Sequence, residues 1–181
     1  MGVIFGIKED KKIMIGDDWE NLVVVNDHLA FVRAGNNNVE RSLLANIAVQ
    51  MEPGRLCTDD LRDMIGKFYL QAAVAGDYNM LMLPFCCLIA GRNRDGAPSL
   101  IHAGNFRGRF DAREVPAALY PMPQEIQQIY RRRFAKNDGF SYRETMAKRI
   151  YEISARRHRI NAAGDKWIYD TVTQRGHWMS F

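Results

Sequence analysis

The chain has 181 residues, 47% of them hydrophobic and 25% charged, the balance of an ordinary globular protein with one sizeable core. Its longest apolar run, Met80 to Ala90, is interrupted by Pro84 and falls well short of the ~20 residues of a membrane-spanning helix, so a soluble single domain over residues 1–181 is expected. A net charge of +4 and a pI near 9.0 are too mild to mark a nucleic-acid binder.

Gly2 to Lys8 and Lys12 to Gly16 are short β-branched and apolar runs separated by Glu9-Asp10-Lys11, which predicts a hairpin. Asn21 to Val25 and His28 to Arg33 repeat the pattern around the turn pair Asn26-Asp27, a second hairpin. Gly35 and three asparagines then stop the strand. Leu43, Leu44, Ile47, Ala48 and Met51 recur at helical spacing before Pro53-Gly54 ends that helix. Thr58 or Asp59 caps the next, whose buried stripe is Leu61, Met64, Ile65, Phe68 and Ala72 and whose end is Gly76.

Strand character returns from Leu83 to Ala90, crosses the polar turn Gly91 to Gly96 and resumes from Ser99 to Ala103, a third hairpin. Gly104 to Pro116 is less periodic, with room for one short strand near Asn105 to Phe110. Pro123 opens a helix through Ile126, Ile129, Tyr130 and Phe134, which Asp138-Gly139 breaks. Ser141 and Glu144 form a capping box ahead of Met146, Ile150 and Ile153, a second helix of that pair. Trp167 to Thr173 and His177 to Phe181 close the chain as strands around Gln174-Arg175-Gly176. The order predicts an α+β fold, a four-layer αββα sandwich with a helix pair on each outer face of two packed sheets.

The segments Gly2 to Lys8, Ile13 to Asp18 and Asp27 to Gly35 resemble the first two strands, and the strand-then-glycine entry into the first helix, of the proteasome-type N-terminal nucleophile hydrolases. Phe85 to Gly91 with Asp95-Gly96 and Leu100-Ile101-His102 is similar to that family's central hairpin, and Trp167 to Gly176 to its closing strand and turn. In active members an N-terminal Thr attacks the scissile carbonyl, its own amine serving as base, with a Lys and an Asp nearby. The resemblance sets Gly2 at the nucleophile, which has no side chain to react, Asp18 at the carboxylate, and Asn21 at the lysine. The connection from Asp18 to Asn21 is also shorter than the family's usual loop. The implied protein is non-catalytic: a subunit that assembles with itself, in a ring or stacked rings, or docks a protein partner. A hydrolase using other residues is the rival expectation.

No cofactor or metal is expected. Cys57, Cys86 and Cys87 are odd in number, lack metal-ligand spacing and read as buried reduced thiols, and Cys57-Thr58 would become a terminus only by a cut that detaches four strands. His28, His102 and His177 have no Cys or carboxylate partner at ligand spacing, so hydrogen-bonding roles are expected; Gly104 to Gly108 lacks the Lys and following helix of a phosphate loop. The charge excess gathers in Arg131, Arg132 and Arg133 and in Arg156, Arg157 and Arg159, near predicted helix surfaces. These are solvated faces or, on the sharper reading, an anion- or nucleic-acid-binding strip, which makes a nucleic-acid or anion-binding module the second alternative, with nucleic acid the less expected partner. Phe68, Tyr69, Tyr130, Phe134, Tyr142 and Tyr151 exceed one core stripe per helix and suggest contacts between subunits. The first six residues lack a basic region ahead of an apolar segment, and Gly6 stands where a myristoylation motif needs Ser or Thr, which predicts a cytoplasmic address.

Overall fold

A computed structural model describes residues 4–8, 12–17, 21–49, 52–106, 109–120 and 165–180. The strands are β1 (Ile4–Lys8), β2 (Lys12–Asp17), β3 (Leu22–Asn26), β4 (Leu29–Gly35), β5 (Phe85–Arg92), β6 (Pro98–Phe106), β7 (Arg109–Glu114), β8 (Ala117–Tyr120), β9 (Asp165–Asp170) and β10 (Arg175–Ser180). The helices are α1 (Asn37–Ala48), α2 (Thr58–Val74) and α3 (Tyr78–Met82), with a 3-10 turn over Pro53–Arg55.

Two antiparallel five-stranded sheets result, in the orders β10-β9-β2-β1-β8 and β3-β4-β5-β6-β7. Because side chains alternate across a strand, the second sheet faces two cores. Ala30, Val32, Cys86, Leu88, Ala90 and Leu100 meet Ile13, Ile15, Trp167 and Tyr169 of the first sheet. On the other face, Leu29, Phe31, Cys87, Ile89 and Ile101 pack against Leu43 of α1 and Leu61, Ile65 and Tyr69 of α2. Close stacking of the sheets depends on Gly6, where a Cβ would crowd the Leu100 side chain.

The four-layer αββα expectation is corrected here. Strands dominate the described residues, and among these the helices that pack into a core do so on the outer face of one sheet, so that the described residues form two sheets and a single helical layer. Part of the reason lies in residues 109–120, where almost no regular structure was expected. They form β7 and β8, each extending a different sheet to its fifth strand. The expected helices from Pro123 to Ile153 lie outside the described residues.

Helix α1 starts at Asn36, whose side-chain oxygen accepts from the Asn38 N–H at 2.9 Å, and Arg33 at the end of β4 reaches Glu40 at 2.6 Å. Helix α2 is capped one residue earlier than the sequence implies: Asp60 reaches back to the Cys57 N–H at 2.9 Å, which makes Cys57 the N-cap. It ends where Gly76 turns left-handed, at φ +68°, while the Asp77 N–H returns to the Ala72 carbonyl at 2.9 Å. The five-residue α3 follows at once, its first turn capped by Asp77 through the Met80 N–H at 3.1 Å. Asn105 of β6 holds it against the sheet by donating to the Leu81 and Leu83 carbonyls.

Candidate functional site

Of the positions that the resemblance marks, Gly2 and Asp18 lie outside the described residues, as do Arg131, Arg132, Arg133, Arg156, Arg157 and Arg159. Asn21 is described: it stands immediately before β3, half-buried. Three other places gather chemistry-bearing side chains.

The first is the start of α2. A cleft of about 310 Å³ opens between α1 and α2, with Ser42, Asn46, Asp60, Asp63, Lys67 and Arg94 on its walls. Arg94, on the β5–β6 turn, donates to Asp60 at 3.0 Å and Asp63 at 2.7 Å, and its own N–H reaches Asp59 at 3.0 Å. Arg62 adds an ion pair with Asp59 at 2.8 Å. Burial alone would raise the Asp60 carboxyl, but the Cys57 backbone N–H and Arg94 outweigh it and hold it below its usual value. Asp63 behaves alike: burial opposes, and bonds from Arg94 and Arg62 prevail. The carboxylates are thus met by internal cations, and the cluster pins the β5–β6 turn to the helix.

The second is a cysteine–histidine pair that sequence spacing does not reveal. In register across β5, β6 and β7, Cys86 lies opposite Gly104 and Gly104 opposite Asp111, while Leu88, His102 and Arg113 form the next row. Both rows point toward the first sheet, so the diagonal brings Cys86 Sγ within 3.1 Å of His102 Nε2. The pair has the composition of an activated nucleophile, but its electrostatics run the other way. Cys86 is fully buried, and burial pushes its thiol far up. His102 is lowered by burial and then by Arg113, against the pull of Asp111. Near neutral pH both partners are therefore uncharged, a hydrogen-bonded thiol and imidazole rather than a thiolate facing an imidazolium. His28 fills a structural part: its Nε2 lies 3.1 Å from the Leu56 carbonyl, beside the Asn26 amide that donates to Pro53 and Leu56. All three cysteines are free and buried.

The third is apolar and exposed. Tyr69, expected at a subunit contact, is 3% exposed inside the helix–sheet core, and Phe68 packs against the same core. Among the described residues the large apolar side chains that face outward include Leu70 at 65%, Val74 at 83%, Tyr78 at 76%, Met82 at 66% and Leu83 at 47%, all within fourteen residues of chain, with Val24, Leu44 and Val49 elsewhere and Val172, Trp178 and Met179 on the last hairpin. Leu70 and Val74 are one turn apart on α2 and Tyr78 and Met82 one turn apart on α3, so each pair shares a face. The spacing was legible: Leu70 and Val74 fall off the buried stripe of α2. Tyr130, Phe134, Tyr142 and Tyr151 lie outside the described residues.

Among the described residues, no cluster of three or more His, Cys, Asp or Glu is placed to hold a metal ion, and no helix is long and apolar enough to cross a membrane. Compared with known proteins, the sequence matches no family model and no curated protein.

Proposed function

We propose that this protein acts by assembly rather than catalysis, as a subunit that associates with copies of itself in the manner of the non-catalytic proteasome-type subunits its strand segments resemble. The observation that carries the reading is the exposed run Leu70, Val74, Tyr78, Met82 and Leu83. Scattered surface leucines need no explanation, but five of the eleven exposed large apolar side chains among the described residues fall on one helix end and the short helix after it, which favours a surface meant to be covered. A reducing compartment such as the cytoplasm suits three buried free thiols.

The rival is a hydrolase built on Cys86 and His102. Full burial of the sulfur and its raised ionisation argue against it. Native mass measurement tests the assembly reading: a defined multiple of 20.8 kDa at micromolar concentration is expected. A 20.8 kDa particle under those conditions overturns it, and turnover of a broad peptide and ester substrate set would put the hydrolase in its place.

A further inference from the structure

We propose that Met80 is an oxidation site whose sulfoxide the fold holds rather than rejects, through the side-chain amides of Asn36 and Asn38, a property that does not depend on how the chain assembles.

Met80 stands in the middle of α3, partly buried and packed against the helix–sheet core. Its sulfur meets two amide groups from the start of α1: Asn38 Nδ2 lies 3.6 Å from Sδ and Asn36 Nδ2 lies 3.8 Å from it. The helix that Asn36 caps fixes the orientation of its amide. Because Oδ1 accepts the Asn38 N–H at 2.9 Å, the NH2 group turns to the other side, toward Met80. The Asn36 backbone is held as well, its N–H donating to the Pro84 carbonyl at 2.9 Å.

Asn36 is only 8% exposed, and among the described residues the sulfur is the sole partner of its NH2 group. A thioether is a weak acceptor, and an amide donor taken out of water costs free energy until it meets a strong one. Two donors from different residues thus converge on an atom that satisfies both only weakly. Met14, Met64, Met82 and Met179 have no amide donor on their sulfurs among the described residues, although Met82 at 66% and Met179 at 47% are the more exposed.

Oxidation supplies the missing acceptor. A sulfur lone pair attacks one oxygen of hydrogen peroxide, the O–O bond breaks and an S–O bond forms; the proton of the transferred oxygen passes to the departing hydroxide, which leaves as water. Sulfur loses two electrons and the peroxide takes them up. The product carries a strongly polar oxygen on the atom that both amides already face. A sulfoxide at the edge of a core ordinarily disrupts it. Here it gains amide hydrogen bonds, and α3 is tied more tightly to the start of α1. The contact with Asn38 is exposed, so peroxide reaches the sulfur from that side. Since α3 carries Tyr78 and Met82, the oxidation state of residue 80 sets how firmly part of the exposed apolar run is held.

Mild hydrogen peroxide treatment of the native chain, with peptide mapping by mass spectrometry and thermal denaturation before and after, tests the proposal. Met80→Leu, oxidised in parallel, subtracts the effect of the other methionines. Met80 sulfoxide is expected to form in the folded protein and to leave the thermal midpoint unchanged or higher. Asn36→Asp combined with Asn38→Ala keeps the helix cap, since Asp caps as well as Asn, but removes both donors. In that variant the same oxidation should shift the midpoint about 2–4 °C less favourably than in the parent, the loss of roughly one amide hydrogen bond. Asn38→Ala alone, at an exposed position, carries the comparison with a smaller shift if the double variant does not fold. Three results would each overturn the proposal: Met80 that stays reduced while Met82 is fully oxidised, a parent midpoint that falls as Met80 is oxidised, and an equal change in the parent and the variant lacking the donors. None of them touches the assembly reading, which rests on particle mass.

Discussion

Gly176 of β10 lies against the indole of Trp167, its diagonal neighbour on β9, and a Cβ at position 176 would overlap the ring atoms. Trp167 is 1% exposed and stacks on Tyr169 with ring centroids 5.9 Å apart, so the ring has nowhere to retreat except out of the core between the sheets. The Gly176 N–H also donates to the Asp27 carbonyl at 2.6 Å, which fastens the last hairpin to the β3–β4 turn.

Gly176→Ala is therefore expected to destabilise the protein by about 2–3 kcal/mol, the upper range for forcing a methyl group into a packed site. Urea denaturation measures the loss, and native tryptophan fluorescence should shift to the red as Trp167 gains solvent. An unchanged midpoint would mean that the indole does not sit against residue 176.

Asp60 links helix capping to acid stability. Asp60→Ala removes the acceptor of the Cys57 N–H and one anchor of Arg94, and should cost roughly 1 kcal/mol at pH 7, the worth of a lost cap. In the folded chain Asp60 and Asp63 titrate below their ordinary range, so the native state resists protons that the unfolded chain accepts. Their contribution is complete above the unfolded value near 3.8 and disappears as pH falls through the folded values. The gap between parent and variant in urea midpoint should hence be steady from pH 7 to 5 and close below pH 4. A gap that does not narrow at all as pH falls below 4 would show that Asp60 acts through packing alone.

The thiol beside His102 should be inert in the native protein. Iodoacetamide at pH 7.5 is expected to modify none of Cys57, Cys86 and Cys87 within minutes, and all three in denaturant. Rapid native labelling of Cys86, abolished by His102→Gln, would instead identify an activated nucleophile and restore the hydrolase reading.

Most strands and the first helix pair were legible because their signals are local: alternation in Leu29 to Arg33, helical spacing from Leu61 to Ala72, glycine and asparagine at the turns. What was missed lacks such signals. Helix α3 has five residues, too few for a period to register, and β8 has four, two of them alanine. Asp60 capping from the third helical position looks like an ordinary acidic first turn until the backbone is in place. The pairing of Cys86 with His102 depends on the register of β5 against β6, and a shift of one residue would turn one of them to the helix side. Tyr69 falls outside the single apolar stripe that spacing assigns to α2; the stacked ring of Phe110 from β7, at 5.1 Å, shows that the core is wider than the stripe.

The vicinal cysteines show what kind of wall β5 is. Cys86 belongs to one core and Cys87 to the other, and seven of the strand's eight residues are buried. Helices and far sheet are thus tenants of the same partition: neither side can come apart without exposing the strand on which the other leans. Heat or denaturant should dismantle both halves in one step, and any assembly this chain builds is made of bricks that are either whole or absent.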